Sequence, residues 1–129
     1  RMEKSLSGAH GPAFVRRVFG PAEQAALGLG AEAGPWPAGR ASAHKAASAA
    51  ADFAAKEAFL KAAGTGLAAP FSLCEIEAVR LPSGAPNYRF SGKTAEWVAA
   101  RRLTAKLSLS HDGGMALAFC TLEQLPPET

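Results

Sequence analysis

The chain has 129 residues, 48% of them hydrophobic, with 14 Lys and Arg against 11 Asp and Glu and a formal net charge of +3. That length points to one domain able to bury a core without disulfides, and Cys74 and Cys120 lie in apolar alternating runs, where a cysteine reads as a small hydrophobe. No apolar run approaches the ~20 residues of a membrane-spanning helix, no signal peptide is recognised, and aromatics at 8% without an interleaved basic stripe argue against a nucleic-acid surface. A reducing, cytoplasmic setting is expected.

In chain order, residues 2–19 place Met2, Leu6, Phe14, Val15 and Val18 at mostly helical intervals. Gly8 and Gly11-Pro12 interrupt the middle, so a helix and a turn are expected rather than one rod. Arg1, Lys4, Arg16 and Arg17 stand against Glu3 alone in the first twenty residues, which is either a solvated face or a face for an acidic partner. "FGPAEQAALG" (19–28) reads as a short helix opened by Pro21 and closed at Gly28 or Gly30. The glycine- and proline-rich stretch 28–41 reads as a surface loop. A long alanine-rich helix follows, with Ser42 as its expected N-cap and Gly64 as its left-handed stop; Phe53, Phe59 and Leu60 are its anchors.

Beyond residue 70 the period becomes two. "LCEIEAVRL" (73–81) is a predicted strand, "PSGAP" (82–86) a turn and "NYRFSG" (87–92) a second strand forming a hairpin. "KTAEWVAARRL" (93–103) is an amphipathic helix anchored by Trp97. "AKLSLS" (105–110) and "MALAFCTLEQL" (115–125) are strands joined by "HDGG" (111–114), and "PPET" is a frayed tail. Helices followed by a strand-rich half make an α+β domain.

Two stretches carry chemistry. In "DFAAKEAFLKAAGTG" (52–66), Glu57 and Lys61 share a helix face, while Lys56 points 100° away. A surface ion pair worth about 0.3–0.5 kcal/mol accounts for Glu57 and Lys61. Gly64-Thr65-Gly66 then offers unshielded backbone N–H groups to a phosphate, and Lys61 adds a point charge for the same anion. The carboxylate of Glu57 would repel phosphate unless a hard cation lay between them, and magnesium is held by one or two carboxylates with phosphates and waters. The spacing therefore fits a magnesium-bound phosphate ester or pyrophosphate as well as an ordinary capped helix. In "LSLSHDGG" (107–114), Ser110 and His111 end a strand and can donate to a phosphate, or simply precede a turn. Adjacent Ser110, His111 and Asp112 diverge and cannot form a catalytic triad among themselves.

Together, "FAAKEAFLKAAGTGL" (53–67), "PSGAPNYRFSG" (82–92) and "LSLSHDGGMALAFC" (107–120), with "RVFGPAEQ" (17–24), resemble the holo-[acyl-carrier-protein] synthases, the small trimeric phosphopantetheinyl transferases. The resemblance runs from residue 1 to about 122 and implies that family's fold, helices packed on a small antiparallel sheet, with residues 1–122 as the domain and 123–129 as a flexible tail. It implies transfer of phosphopantetheine from coenzyme A to a serine of an acyl carrier protein, for fatty acid biosynthesis, with Mg2+ as cofactor and adenosine 3′,5′-bisphosphate as by-product. By resemblance, Glu57 is the magnesium ligand and Lys61 reaches the coenzyme A phosphates, beside the Gly64-Thr65-Gly66 turn. Ser110 and His111 hold nucleotide phosphates, and Gly84 and Pro86 meet the adenine side across a subunit boundary. Arg1, Lys4, Arg16 and Arg17 become the docking face for the acidic carrier protein. The base that deprotonates the serine is left open between Glu57 and a metal-bound water.

Three departures stand out. Ala85 replaces the usual lysine of a Gly-Lys-Pro turn, and Asp52 replaces a common arginine. The family's opening strand, roughly "GIGIDIVEIER", carries a second metal-binding aspartate, and Arg1 aligns with that motif's end. The chain as given, without that strand, is expected to be weakly active or inactive. The alternative is a non-catalytic module that binds coenzyme A or the carrier.

Overall fold

The first half of the chain is helical. The structure, a computed structural model, describes residues 2–30, 33–112 and 114–127. Helices α1 (Met2–Ser7) and α2 (Gly11–Val18) are separated by residues 8–10, with Pro12 in the first turn of α2, where its missing N–H costs no hydrogen bond. Helix α3 (Pro21–Leu27) opens on its proline and closes on Gly28 in left-handed geometry. Helix α4 (Gly39–Ala63) starts earlier than the sequence predicts, with Ala38 as its N-cap. The predicted cap, Ser42, is a buried residue of the first turn. Its hydroxyl accepts a 2.6 Å bond from the Trp36 indole and donates to the Glu3 carboxylate, so a tertiary bridge takes the side chain away from capping. Gly64 ends α4 at φ 84°, and its N–H returns to the carbonyls of Leu60 and Lys61 at 3.1 Å.

The second half is two antiparallel hairpins with a helix between them. Residues Leu73–Glu75, predicted as strand, form a single 3-10 turn instead. Strands β1 (Ile76–Arg80) and β2 (Pro86–Phe90) pair from Ile76↔Phe90 to Arg80↔Pro86. Helix α5 (Gly92–Ala100) is capped by the Glu75 carboxylate, which accepts from the Thr94 N–H at 3.2 Å and its hydroxyl at 2.9 Å. Strands β3 (Leu103–Asp112) and β4 (Met115–Gln124) pair along their whole length. His111 and Asp112, predicted in the turn, belong to β3 opposite Ala116 and Met115, and Gly114 leads into β4 in left-handed geometry at φ 81°. The predicted tail at 123–129 likewise begins inside β4. Leu125 N–H donates to the Arg102 carbonyl at 2.7 Å and the Arg102 guanidinium donates to Pro126 O at 2.5 Å, while residues 128–129 lie outside the described residues.

The core has two parts. Phe59 of α4 centres the larger, against Phe71 (ring centroids 5.6 Å), Tyr88 (5.9 Å) and Phe90 (4.9 Å), with Trp97 of α5 on its rim. Leu6, Val15, Val18, Phe19 and Ala49 form the smaller, under α1 and α2. Both rest on α4, so this helix sets the position of everything attached to it.

Candidate active site

On α4, one stripe faces inward and another faces solvent. Ala49, Asp52, Lys56 and Phe59 recur at three- and four-residue steps and are all buried. Glu57 and Lys61 emerge on the opposite side, both exposed. Among the described residues they form no ion pair with each other, so the surface bridge expected from their spacing is not made. Both therefore present free charged groups one helical turn apart.

The turn after them corrects one expectation. Gly64 cannot offer its N–H to a ligand, since the helix end takes it. Among the described residues the N–H groups of Thr65 and Gly66 carry no protein acceptor, and Gly66 is also left-handed at φ 61°. The Thr65 hydroxyl donates to the Gly66 carbonyl at 3.2 Å, which leaves its oxygen as an acceptor. Two exposed amides beside Lys61 remain a small anion cradle.

Ser110 and His111 are exposed neighbours at the end of β3, but they open in different directions. His111 lines a cleft of about 600 Å³ together with Asp52, Arg80 and Arg89. Gly84 lies in the β1–β2 turn, where it adopts φ 90° and its N–H donates to Leu81 O at 2.8 Å, and Pro86 opens β2 opposite Arg80. The Ala85 N–H donates weakly to Ser83 Oγ at 3.3 Å. Lys4 and Arg17 share one shallow depression between α1 and α2, with His10 and Phe14 at its wall, whereas Arg16 faces a different cavity with Trp36 and Lys45. Arg1 lies outside the described residues.

Charge buried next to Glu57 escaped the sequence reading. Lys56 and Glu23 form an ion pair in which both side chains are 0% exposed. The Lys56 ammonium donates to Glu23, to Leu73 O at 3.0 Å and to Ile76 O at 2.6 Å, which uses all three of its protons. Glu23 also accepts from Gly20 N–H at 3.1 Å and Ala78 N–H at 2.9 Å, and its own N–H donates to Glu77 at 3.0 Å. Ile76 O and Ala78 N–H lie on the edge of β1 away from β2, so the ion pair closes that edge as a neighbouring strand would. Gly20 permits the approach: a Cβ there would lie 2.6 Å from the Cys74 carbonyl oxygen and 2.4 Å from the Glu77 carboxyl carbon. Burial pushes the Glu23 pKa up and the Lys56 pKa down, and their mutual attraction opposes both shifts. Asp52, one turn earlier, is raised to about 7 by burial and by the neighbouring Glu23. One signal in the sequence could have exposed the pair: Asp52 and Lys56 sit on the stripe whose other members are Ala49, Phe59 and Ala63.

Comparison with known proteins fixes the class of this architecture. The family profile for ACPS, the 4′-phosphopantetheinyl transferase superfamily, matches residues 2–120. The chain belongs to that superfamily. It is 39% identical over 134 residues to the holo-[acyl-carrier-protein] synthase of Methylobacterium sp. (strain 4-46), spanning 100% of this chain and 90% of that protein. The Bordetella pertussis enzyme of the same name is 32% identical, across 98% of this chain and 77% of that one. The crystal structure of the Helicobacter pylori synthase in complex with coenzyme A superposes with a TM-score of 0.71 at 25% identity, covering 95% of this chain and 91% of that one. The Neisseria meningitidis synthase gives 0.67 at 29%, covering 88% and 82%.

Proposed function

We propose that the protein makes holo-acyl carrier protein by moving the 4′-phosphopantetheine group of coenzyme A to a serine of the apo-carrier, with adenosine 3′,5′-bisphosphate released. The family match and the curated relatives support the reaction. One observation carries the residue assignment. Among the described residues, Glu57 and Lys61 have no ion-pair partner; they are exposed and one turn apart, beside the unclaimed amides of Thr65 and Gly66. The serine oxygen forms a bond to the phosphorus on the pantetheine side, the bridging P–O bond breaks, the serine proton is lost, and the nucleotide leaves with the bridging oxygen. Little covalent work falls to the protein, so its task is positioning and charge neutralisation.

A magnesium ion fits Glu57, because its carboxylate is free and the remaining ligands of such a site are phosphate oxygens and water. When bound, the metal neutralises the diphosphate. Lys61 holds the same phosphates from the next turn, and Thr65 and Gly66 donate through their backbones. His111, with Arg80 and Arg89 around its cleft, holds a nucleotide phosphate, with Ser110 beside it. Gly84 and Pro86 serve the site of a neighbouring copy in a homotrimer. A stripe of Met115, Leu117 and Phe119 on β4, exposed by 66%, 46% and 71%, supports contact between copies. Lys4, Arg17 and Arg16, with Arg1, form the basic approach for the acidic carrier. The free thiols of Cys74 and Cys120 agree with a cytoplasmic setting, and among the described residues no helix is long and apolar enough to cross a membrane.

The test is the mass of apo-acyl carrier protein after incubation with the enzyme, coenzyme A and magnesium. The carrier should gain one phosphopantetheine, and Glu57→Gln and Lys61→Ala should each cut the rate by about 100-fold or more, the scale of a lost charge-stabilising group. Binding of coenzyme A without any mass gain would establish the non-catalytic module instead.

A further inference from the structure

We infer that Lys56, held by Glu23, is a positioning residue for Glu57, and that the buried pair sets the direction in which the metal-binding carboxylate leaves α4. This rests on the reading of Glu57 given above.

The argument starts with what the rest of α4 cannot do. Its inner face before Lys56 is largely small: Ala49, Ala51 and Ala55 are buried there. Alanine contacts are smooth and non-directional, and they resist rotation or sliding of a helix poorly. Phe59 and Leu60 anchor the helix further along by packing alone. Lys56 is different in kind. Its three bonds run to α3, to the 3-10 turn and to β1, so three separate elements fix one ammonium. Glu57 is the next residue. It has no protein partner among the described residues, so only the helix backbone determines where its carboxylate points.

Stability does not account for the pair. Burying two charges costs desolvation energy that their attraction only roughly returns, and apolar replacements of buried ion pairs are often neutral or stabilising. What the pair supplies is direction. The ammonium must meet carbonyls at residues 73 and 76 and a carboxylate at 23, and these restrict both rotation and axial slide of α4 at the residue before Glu57.

The test replaces both members of the pair, so that neither Glu23 nor Lys56 is left charged without the other. Glu23→Gln with Lys56→Met should fold, as judged by circular dichroism and a cooperative thermal transition. Manganese affinity is then measured by electron paramagnetic resonance in the presence of coenzyme A, for four proteins: wild type, the double variant, Glu57→Gln, and all three changes together. The pair replacement should weaken manganese binding about 10-fold or more, the usual effect of losing a group that orients a metal ligand. It should have no further effect once Glu57 is Gln, because the pair acts through that residue. Wild-type manganese affinity in the folded double variant overturns the inference, as does an equal loss in both backgrounds. Should the double variant not fold, Glu23→Asp, which keeps the charge but moves it away from Lys56, gives the same comparison. If the wild type shows no manganese binding dependent on coenzyme A, the assignment of Glu57 falls first and takes this inference with it.

Discussion

Asp52 shows how far one residue can depart from its surroundings. It replaces a residue that is commonly arginine in the resembling family, and it lies buried on α4 beside Glu23. Burial, reinforced by Glu23, raises its pKa from 3.8 to about 7. A carboxyl raised in the folded state binds its proton more tightly there than in the unfolded chain. Its contribution to stability is therefore full below pH ~4 and is lost as pH rises towards 7. Over that window the loss attributable to Asp52 is on the order of 2–4 kcal/mol. Asp52→Asn removes the titration. Relative to wild type, it should gain stability progressively from pH 4 to 7 and hold that gain at pH 8, as read from urea midpoints. Parallel pH curves for the two proteins would show that Asp52 does not titrate in this range. The residue scale is also where sequence reading did least well. The stripe of Ala49, Asp52, Lys56 and Phe59 marks Lys56 as inward, but Glu23 is 33 positions away, and nothing local names it as the partner.

At the scale of elements, most of the chain was legible because local chemistry decides it. Pro21 and Gly28 bound α3, and Gly64 stops α4 in the left-handed geometry that glycine tolerates best. The change of hydrophobic period near residue 70 marks where helices give way to hairpins. Elements whose ends were misplaced are those where a distant group intervenes. Ser42 is drawn to Trp36 and Glu3 and leaves capping to Ala38. Leu73–Glu75 turns as 3-10 helix because its groups face inward partners: Leu73 O accepts from Lys56, and the Glu75 carboxylate caps α5. The Gly64-Thr65-Gly66 turn was legible as glycine-rich and left-handed, but which of its amides stay available depends on the cap hydrogen bonds, and those are seen only in three dimensions.

At the scale of the whole molecule, the candidate site is spread out. Glu57 and Lys61 lie on one face of α4, His111 opens into the cleft with Asp52, and the Gly84-Pro86 turn belongs to the other hairpin. A site completed by a second copy reconciles that spread with the resemblance. The β4 stripe would then be covered, and the trimer should depend on it. Phe119→Asp should convert a trimer into a monomer by light scattering and abolish carrier modification, while leaving the Phe59 core folded, since Phe119 lies outside it. A wild-type protein that is monomeric at working concentration would contradict this assembly.

The central claim is that a divalent ion joins Glu57 to the diphosphate whose other oxygens meet Lys61. Anomalous diffraction from crystals grown with coenzyme A and manganese tests it directly. The account predicts a metal peak within about 2–2.4 Å of a Glu57 carboxylate oxygen, bridged to a phosphate oxygen, with the Lys61 ammonium within hydrogen-bond reach of the same diphosphate. A nucleotide bound with its phosphates away from α4, or a metal peak that does not touch Glu57, would contradict it.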